Sequence, residues 1–128
     1  MTRTGVVNVA LVGVAAVVCA VTVSAQIKRT PLQQVDSSAP GREVVTARAD
    51  FPAGGATGLH THPGDEISFV AEGAVEIVMD GSSKIYRKGE AFNIIGGKPH
   101  DARAVEGPAV VIANYFIEKG KPATTPVK

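Results

Sequence analysis

From Glu43 onward, breaks rich in glycine and proline divide the sequence into short apolar segments, and none of these segments shows sustained helical periodicity. Short segments that contain β-branched and aromatic residues are typical of strands. Many short strands separated by such turns indicate an all-β sandwich or barrel. The predicted strands are Glu43–Phe51, Ile67–Ala71, Ala74–Asp80, Lys84–Arg87, Ala91–Ile95 and Ala109–Ile117.

Short turn sequences predict how some of these strands are connected. Ile67–Ala71 and Ala74–Asp80 flank Glu72-Gly73, which predicts a hairpin. Asp80-Gly81 begins a second turn. The last strand, Ala109–Ile117, is apolar on both faces, so alternation does not decide whether Tyr115 or Asn114 points inward, and we take Tyr115 as a core residue.

An apolar run from Gly5 to Ala25 follows the basic residue Arg3. The positive start, the apolar core and the modest residues Val23-Ser24-Ala25 predict a secretory signal peptide that is cleaved after Ala25. The alternative is an uncleaved helical anchor, which the basic residues after the run favour. In either case we expect the working domain outside the cytoplasm, periplasmic or secreted. The predicted divisions are a signal or anchor segment at 1–25, a linker or edge arm at 26–42, a barrel at 43–118 and a loose surface tail at 119–128.

Charge and cysteine content exclude several classes of function for the domain after residue 25. Without Arg3, twelve basic side chains are balanced by twelve acidic ones, and no basic run is present. We therefore expect no nucleic acid partner, and no membrane partner once the signal is removed. Cys19, the only cysteine, lies inside the apolar run, so the mature domain has neither a disulfide nor a thiolate ligand.

The three histidines of the chain are placed where they can share a metal ion. His60 and His62 are two residues apart, so on a strand they point to the same face. Glu66 follows Pro63-Gly64, a turn that can bring its carboxylate back to the same point. His100 comes much later and joins them only if the sheet closes on itself. Imidazole and carboxylate together suit Fe, Mn, Ni, Cu or Zn.

The spacing of these residues is more specific than their number. Two glycines belong to each half of the pattern. The two halves read Gly54-x5-His60-x-His62-x3-Glu66-x6-Gly73 and Gly89-x5-Ile95-x-Gly97-x2-His100. This pattern resembles the two-part signature of the cupin superfamily. The sequence departs from that signature at Ile95, where the family usually has proline, and at Ala104, where it often has asparagine.

The resemblance extends over about Glu43 to Glu118 and implies a double-stranded β-helix, the jelly-roll barrel of cupins. It further implies one divalent transition metal near the mouth, with His60, His62, Glu66 and His100 as ligands. If these residues face inward, alternation places Ser68 in the same pocket. A ligand pocket of this kind looks small and largely apolar, which suits a small organic molecule.

Two classes of function follow from the resemblance. The first is a metal-dependent enzyme for a small molecule, most similar to a dioxygenase of the flavonol type, in which Glu66 also acts as general base. The second is a non-catalytic periplasmic module that binds a metal or small ligand, since no second inward acid or base accompanies Glu66. A homodimer is also expected, because the apolar strand Ala109–Ile117 would gain from the covering of an edge.

Two polar residues near the predicted ligands have open roles. Asp65 either accepts a hydrogen bond from a ligand histidine or is a solvent-facing loop acid. Ser68 either contacts a substrate or is a small wall residue.

Overall fold

The computed structural model describes residues 26–128, and the predicted signal or anchor segment at residues 1–25 lies outside them. The described part of the chain is built from strands, and it contains no helix that is long and apolar enough to cross a membrane. In chain order the strands are β1 (Lys28–Asp36), β2 (Arg42–Phe51), β3 (His60–Thr61), β4 (Gly64–Glu72), β5 (Ala74–Met79), β6 (Ser82–Arg87), β7 (Ala91–Ile94), β8 (His100–Ala104), β9 (Ala109–Glu118) and β10 (Thr125–Pro126).

The strands form two five-stranded sheets. The first has the order β1-β2-β9-β4-β7, and the second has the order β10-β3-β8-β5-β6. Neighbouring strands are antiparallel in both sheets. The inner faces of the two sheets supply the buried apolar side chains, which form one core. The all-β class and the double-stranded β-helix expected from the sequence are confirmed.

Strand β9 lies at the centre of the first sheet, between β2 and β4. Its residues alternate between buried and half-buried, and Tyr115 is on the buried face. Asn114 is on the outer face, where its amide donates a hydrogen bond to the Ile67 carbonyl. The pairing of β9 with β2 and β4 therefore decides that Tyr115, and not Asn114, points inward. Because β9 has a neighbour on each side, it has no uncovered edge, and the expectation that a homodimer would cover an edge of this strand is wrong.

The turn at Asp80-Gly81 is confirmed as the hairpin between β5 and β6. Both of its residues have positive φ, 52° for Asp80 and 75° for Gly81, as the tight turns of antiparallel hairpins require.

The predicted hairpin across Glu72-Gly73 is wrong. Strand β4 belongs to the first sheet and β5 to the second, so the chain passes from one sheet to the other at this point. Gly73 has a φ of 71°, and a Cβ there would overlap the Pro108 carbonyl oxygen. The glycine therefore allows a close crossing of two chain segments rather than a two-stranded turn.

Both terminal segments of the described chain are more ordered than their composition indicates. The sequence predicted a break from regular structure at Pro31, but β1 runs through this residue as the edge strand of the first sheet. An edge strand tolerates proline because its outer N–H has no partner to lose, and the register shifts between Pro31 and Gln33. At the other end, β10 pairs with β3, so the tail at 119–128 is not simply loose on the surface.

Candidate metal centre

His60 and His100 meet as neighbours within the second sheet. They are direct cross-strand partners on β3 and β8, and their ring centroids are 4.2 Å apart. Strand β8 was not predicted, because the segment His100–Ala104 lacks an alternating apolar pattern. The pairing of β8 with β3 and β5 buries His100 almost completely.

His62 lies in the connection between the two sheets, and Glu66 lies on the strand that follows it. His62 follows β3, and Glu66 lies on β4, where it is paired in register with Tyr115 and Ile94. Glu66 is buried on the inner face, as the resemblance implied, and Ser68 lies on the same face, as alternation predicted. Three of the four predicted ligands therefore come from strands of the two sheets and His62 from the link between β3 and β4, and all four converge in the space between the sheets.

Each histidine uses its Nδ1 atom to bond a backbone carbonyl oxygen. The Nδ1 atoms of His60, His62 and His100 lie 2.8, 2.6 and 2.9 Å from the carbonyls of Gly58, Ala123 and Lys98. A ring nitrogen that bonds a carbonyl must carry the proton. In a neutral imidazole the other nitrogen, Nε2, then has a free lone pair and is ready to bind a metal.

The three histidines each offer one ligand atom, and these atoms all lie within 4.8 Å of one another. His62 Nε2 is buried and makes no hydrogen bond, although Glu66 Oε2 is only 2.9 Å away. His100 Nε2 is 3.5 Å from the same oxygen. Two ligands about 2.1 Å from one ion are roughly 3.0 to 3.4 Å apart at right or tetrahedral angles. The two separations from Glu66 Oε2 and the unbonded His62 nitrogen therefore fit a shared cation.

The ionisation of the cluster is set by burial and by mutual contact. Burial raises the pKa of the Glu66 carboxyl, but the adjacent His100 and His62 rings and the Ser68 hydroxyl outweigh it and lower the pKa to about 2. Burial lowers the pKa of His60 to about 4. The cluster therefore favours a carboxylate beside a neutral His60, the ionisation states in which these groups bind a metal.

Ser68 and Asp65 each make a hydrogen bond that defines their role near the cluster. The buried Ser68 hydroxyl donates a hydrogen bond of 2.7 Å to Glu66 Oε1, which leaves Oε2 turned toward the histidines. The sequence placed Ser68 in the pocket but missed this contact. Asp65 does not bond a ligand histidine; it is exposed, and its carboxylate accepts a hydrogen bond of 2.9 Å from the Gly96 amide. Asp65 thus holds the loop that leads to His100.

A cavity of about 20 Å³ opens beside the cluster. Tyr115, taken as a core residue from the sequence, lines this cavity, and its ring centroid is 4.7 Å from that of His62. Burial, reinforced by the Glu66 charge, raises the pKa of the Tyr115 hydroxyl, which therefore stays protonated. Arg29 of β1 reaches the same cavity and is the only lining residue with a permanent positive charge in the described range 26–128. The sequence missed Arg29 because its segment was predicted as a linker.

Comparisons with known proteins agree with this architecture. The family described as Cupin domain matches residues 47–115, more than half of the chain. A cupin superfamily protein from Desulfitobacterium hafniense DCB-2 is similar in fold, with a TM-score of 0.64 and 17% identity over 73% of this chain and 79% of that one. KdgF from Halomonas sp. is similar in fold with a TM-score of 0.55 and 23% identity, over 70% of this chain and 89% of that one.

The structure of an oxalate oxidase in complex with the substrate analogue glycolate has a higher identity, 30%, with a TM-score of 0.58. The match covers 66% of this chain and 46% of the oxalate oxidase chain, so this chain corresponds to less than half of that protein. No curated protein sequence matches. The matched family, the two facing sheets and the cluster of three histidines between them lead to one conclusion: the chain belongs to the cupin family.

Proposed function

We propose that this chain is an exported metal-dependent cupin enzyme, an oxidoreductase of the dioxygenase type that acts on a small organic molecule. The observation that carries the proposal is the convergence of three histidines whose Nδ1 atoms all bond backbone carbonyls, which leaves the Nε2 atoms as the ligand atoms. Such outer contacts orient the ligand histidines of metal sites and select their tautomer. A cluster that served only as packing would not need the same nitrogen of three rings to be held by a backbone carbonyl.

Glu66 is proposed as the fourth ligand beside His60, His62 and His100. Its Oε2 atom is the one turned toward the two nearest imidazoles, and Ser68 holds the other oxygen. A carboxyl with a pKa of about 2 is a weak proton acceptor at neutral pH, so the ligand role is favoured over the general-base role also considered for Glu66. When bound, a divalent ion such as Fe, Mn, Ni, Cu or Zn supplies Lewis acidity and, if redox-active, electron transfer.

The cavity beside the cluster favours a small, oxygen-rich and negatively charged substrate. About 20 Å³ is room for one or two water-sized groups, which suits a short carboxylic acid better than a flavonol. Phe51, Ile77 and Phe92 form apolar walls, so the Arg29 guanidinium is the group that can bond a carboxylate in the cavity. The similarity to an oxalate oxidase bound to glycolate makes small carboxylates the first compounds to test.

Oxygen uptake should accompany turnover of a small carboxylate by the metal-loaded protein. Protein loaded separately with Mn²⁺ or Fe²⁺ is mixed with oxalate, glycolate, catechols or flavonols, and oxygen consumption is recorded with an electrode. Arg29→Gln is expected to raise KM for a carboxylate by about tenfold or more, because a charge-assisted hydrogen bond is worth roughly 1.5 to 3 kcal/mol. Arg48→Gln is the matched control, since Arg48 is exposed and paired with Asp50 away from the cavity. No oxygen consumption with any of these compounds would contradict the oxidoreductase proposal.

A non-catalytic module that binds a metal or small ligand is the second candidate. The observation that favours it is the absence of a further acid–base group among the described residues that line the cavity. Apart from the histidine–glutamate cluster, the only titratable residues among them are Arg29, which keeps its positive charge, and Tyr115, which keeps its proton. Stoichiometric metal binding without oxygen consumption, combined with saturable binding of a carboxylate measured by calorimetry, would favour this candidate over the enzyme.

Export with cleavage after Ala25 is part of the proposal and has its own test. Expression of the full chain in a Gram-negative host should give a periplasmic protein whose amino-terminal sequence begins at Gln26. Ala25→Asp should block this cleavage, because the peptidase requires a small residue at that position. A membrane-bound chain that retains its first 25 residues would instead support the uncleaved anchor.

A further inference from the structure

The end of the described chain lies against the strand that carries His60. Strand β3 has only two residues, and it pairs with β8 through the single pair His60 and His100. Its other neighbour is β10, in which Thr125 and Pro126 are paired with Thr61 and His60. Next to this pair, the Val127 amide donates a hydrogen bond of 3.0 Å to the Leu59 carbonyl. Strand β10 therefore covers one whole edge of the ligand-bearing strand.

The same segment also contacts a ligand side chain directly. The His62 Nδ1 atom bonds the Ala123 carbonyl oxygen at 2.6 Å, the shortest of the three histidine–carbonyl bonds. For His60 and His100 the carbonyl belongs to a residue two positions earlier, so the local backbone provides it. For His62 the partner is 61 residues away in sequence. The orientation of His62 therefore depends on a distant part of the chain being in place.

Further contacts hold the carbonyl of Ala123 where His62 needs it. Ala123 is half-buried and packs against the hydrophobic core. The Thr124 hydroxyl is also near His62 Nδ1, but its distance of 3.5 Å makes it a weaker neighbour than the carbonyl. The contact is thus built by backbone groups and packing, and a side-chain substitution at Thr124 leaves it intact.

We infer that residues 123–127, the C-terminal strap, are a positioning element for metal binding. The Ala123 carbonyl accepts the Nδ1 proton of His62, which keeps Nε2 unprotonated and turned toward Glu66. Without the strap, either ring nitrogen carries the proton and the ring is free to rotate, so fewer molecules present the binding geometry. This inference rests on the metal centre of the proposed function and is independent of catalysis.

A thermodynamic consequence follows for the strap itself. If an ordered strap raises the affinity for the metal, the bound metal must stabilise the strap by the same factor. Hydrogen exchange of the Val127 amide should therefore slow when Zn²⁺ is added, since this amide bonds the Leu59 carbonyl only when the strap is in place.

Shortened chains test the strap directly. One form ends at Lys121 and lacks the whole strap, and another ends at Thr124 and keeps the Ala123 carbonyl without β10. Zn²⁺ affinity is measured by competition with a chromophoric chelator, and the imidazole tautomers of the metal-free proteins are read from ¹⁵N NMR spectra. The form that ends at Lys121 should bind Zn²⁺ about 10- to 100-fold more weakly, as when an outer hydrogen-bond partner of a metal ligand is removed. His62 should lose its Nδ1–H tautomer, whereas His100 keeps it. The form that ends at Thr124 should lie between this form and the full chain.

Thr124→Val in the full chain is the matched control, because it removes the nearby hydroxyl and keeps the carbonyl; its affinity should stay within about twofold of the full chain. Unchanged affinity and an unchanged His62 tautomer in the form that ends at Lys121 would refute the positioning role of the strap without contradicting the metal site. A full chain that binds no metal would instead refute the proposed function. If the form that ends at Lys121 does not fold, Val127→Pro replaces it, because proline removes the amide that bonds the Leu59 carbonyl. This variant must bind Zn²⁺ more weakly than Thr124→Val, and equal affinities would refute the positioning role of the strap.

Discussion

Replacement of His62 by alanine is expected to abolish stoichiometric binding of a divalent metal, and Glu66→Gln is expected to do the same. His62 supplies the buried Nε2 atom that has no hydrogen-bond partner, and Glu66 supplies the carboxylate oxygen 2.9 Å from it. Loss of outer contacts alone weakens metal sites by about 10- to 100-fold, so loss of a ligand should exceed 100-fold. Metal content of the purified variants, measured by elemental analysis after dialysis against a trace of Zn²⁺, checks the expectation.

Asp65→Asn is the matched control for Glu66→Gln. Asp65 is the neighbouring acid and undergoes the same chemical change, but it is exposed and bonds the Gly96 amide through an oxygen that asparagine retains. Its metal content should equal that of the unmodified chain. If His62→Ala and Glu66→Gln both keep a full equivalent of metal, these residues are not the ligands and the assignment of the centre fails.

Gly64→Ala is expected to lower the free energy of unfolding by about 3 kcal/mol or more, near or above the upper end of the usual cost of overpacking. A Cβ at Gly64 would overlap the Phe116 carbonyl oxygen and lie 2.7 Å from the Ile117 Cα atom. On the other side, Gly96 already approaches so closely that a Cβ there would be 2.8 Å from the Gly64 Cα. Both obstacles are backbone atoms of neighbouring segments, which cannot rotate away as a flexible side chain could. Urea denaturation followed by far-ultraviolet circular dichroism measures the loss.

Gly41→Ala provides the comparison for this substitution. Gly41 has a φ of 71° with nothing within 4 Å of an added Cβ, so alanine there should cost only the roughly 1 to 2 kcal/mol of a left-handed backbone. Because Gly64 lies between His62 and Glu66, Gly64→Ala should also weaken Zn²⁺ binding, whereas Gly41→Ala should not. A smaller loss of stability for Gly64→Ala than for Gly41→Ala would contradict the close packing described here.

The strands with strong local patterns were predicted, and those that depend on partners were not. Ala109–Ile117 is apolar, most of Glu43–Phe51 alternates between apolar and polar residues, and these two long segments correspond to β9 and β2. His100–Ala104 lacks an alternating apolar pattern and His60–Thr61 is very short, so their strand conformation depends on pairing: β8 with β5 and β3, and β3 with β10 and β8. The hairpin predicted at Glu72-Gly73 failed for a related reason: a glycine marks a change of direction but does not say to which sheet the chain goes.

The sequence by itself determined the all-β class, the two-part spacing of the candidate ligands and the placement of Glu66 and Ser68 on one face of their strand. These properties follow from turn residues and from two-residue alternation, which are local. Only the tertiary structure decided that Tyr115 faces the cluster, that Arg29 reaches the cavity and that Ala123 bonds His62. Such contacts join segments far apart in the chain, and the alternation within one segment does not say which distant segment it will meet. The sequence thus supplies the types and spacing of the candidate ligands, and the packing of the two sheets brings them together.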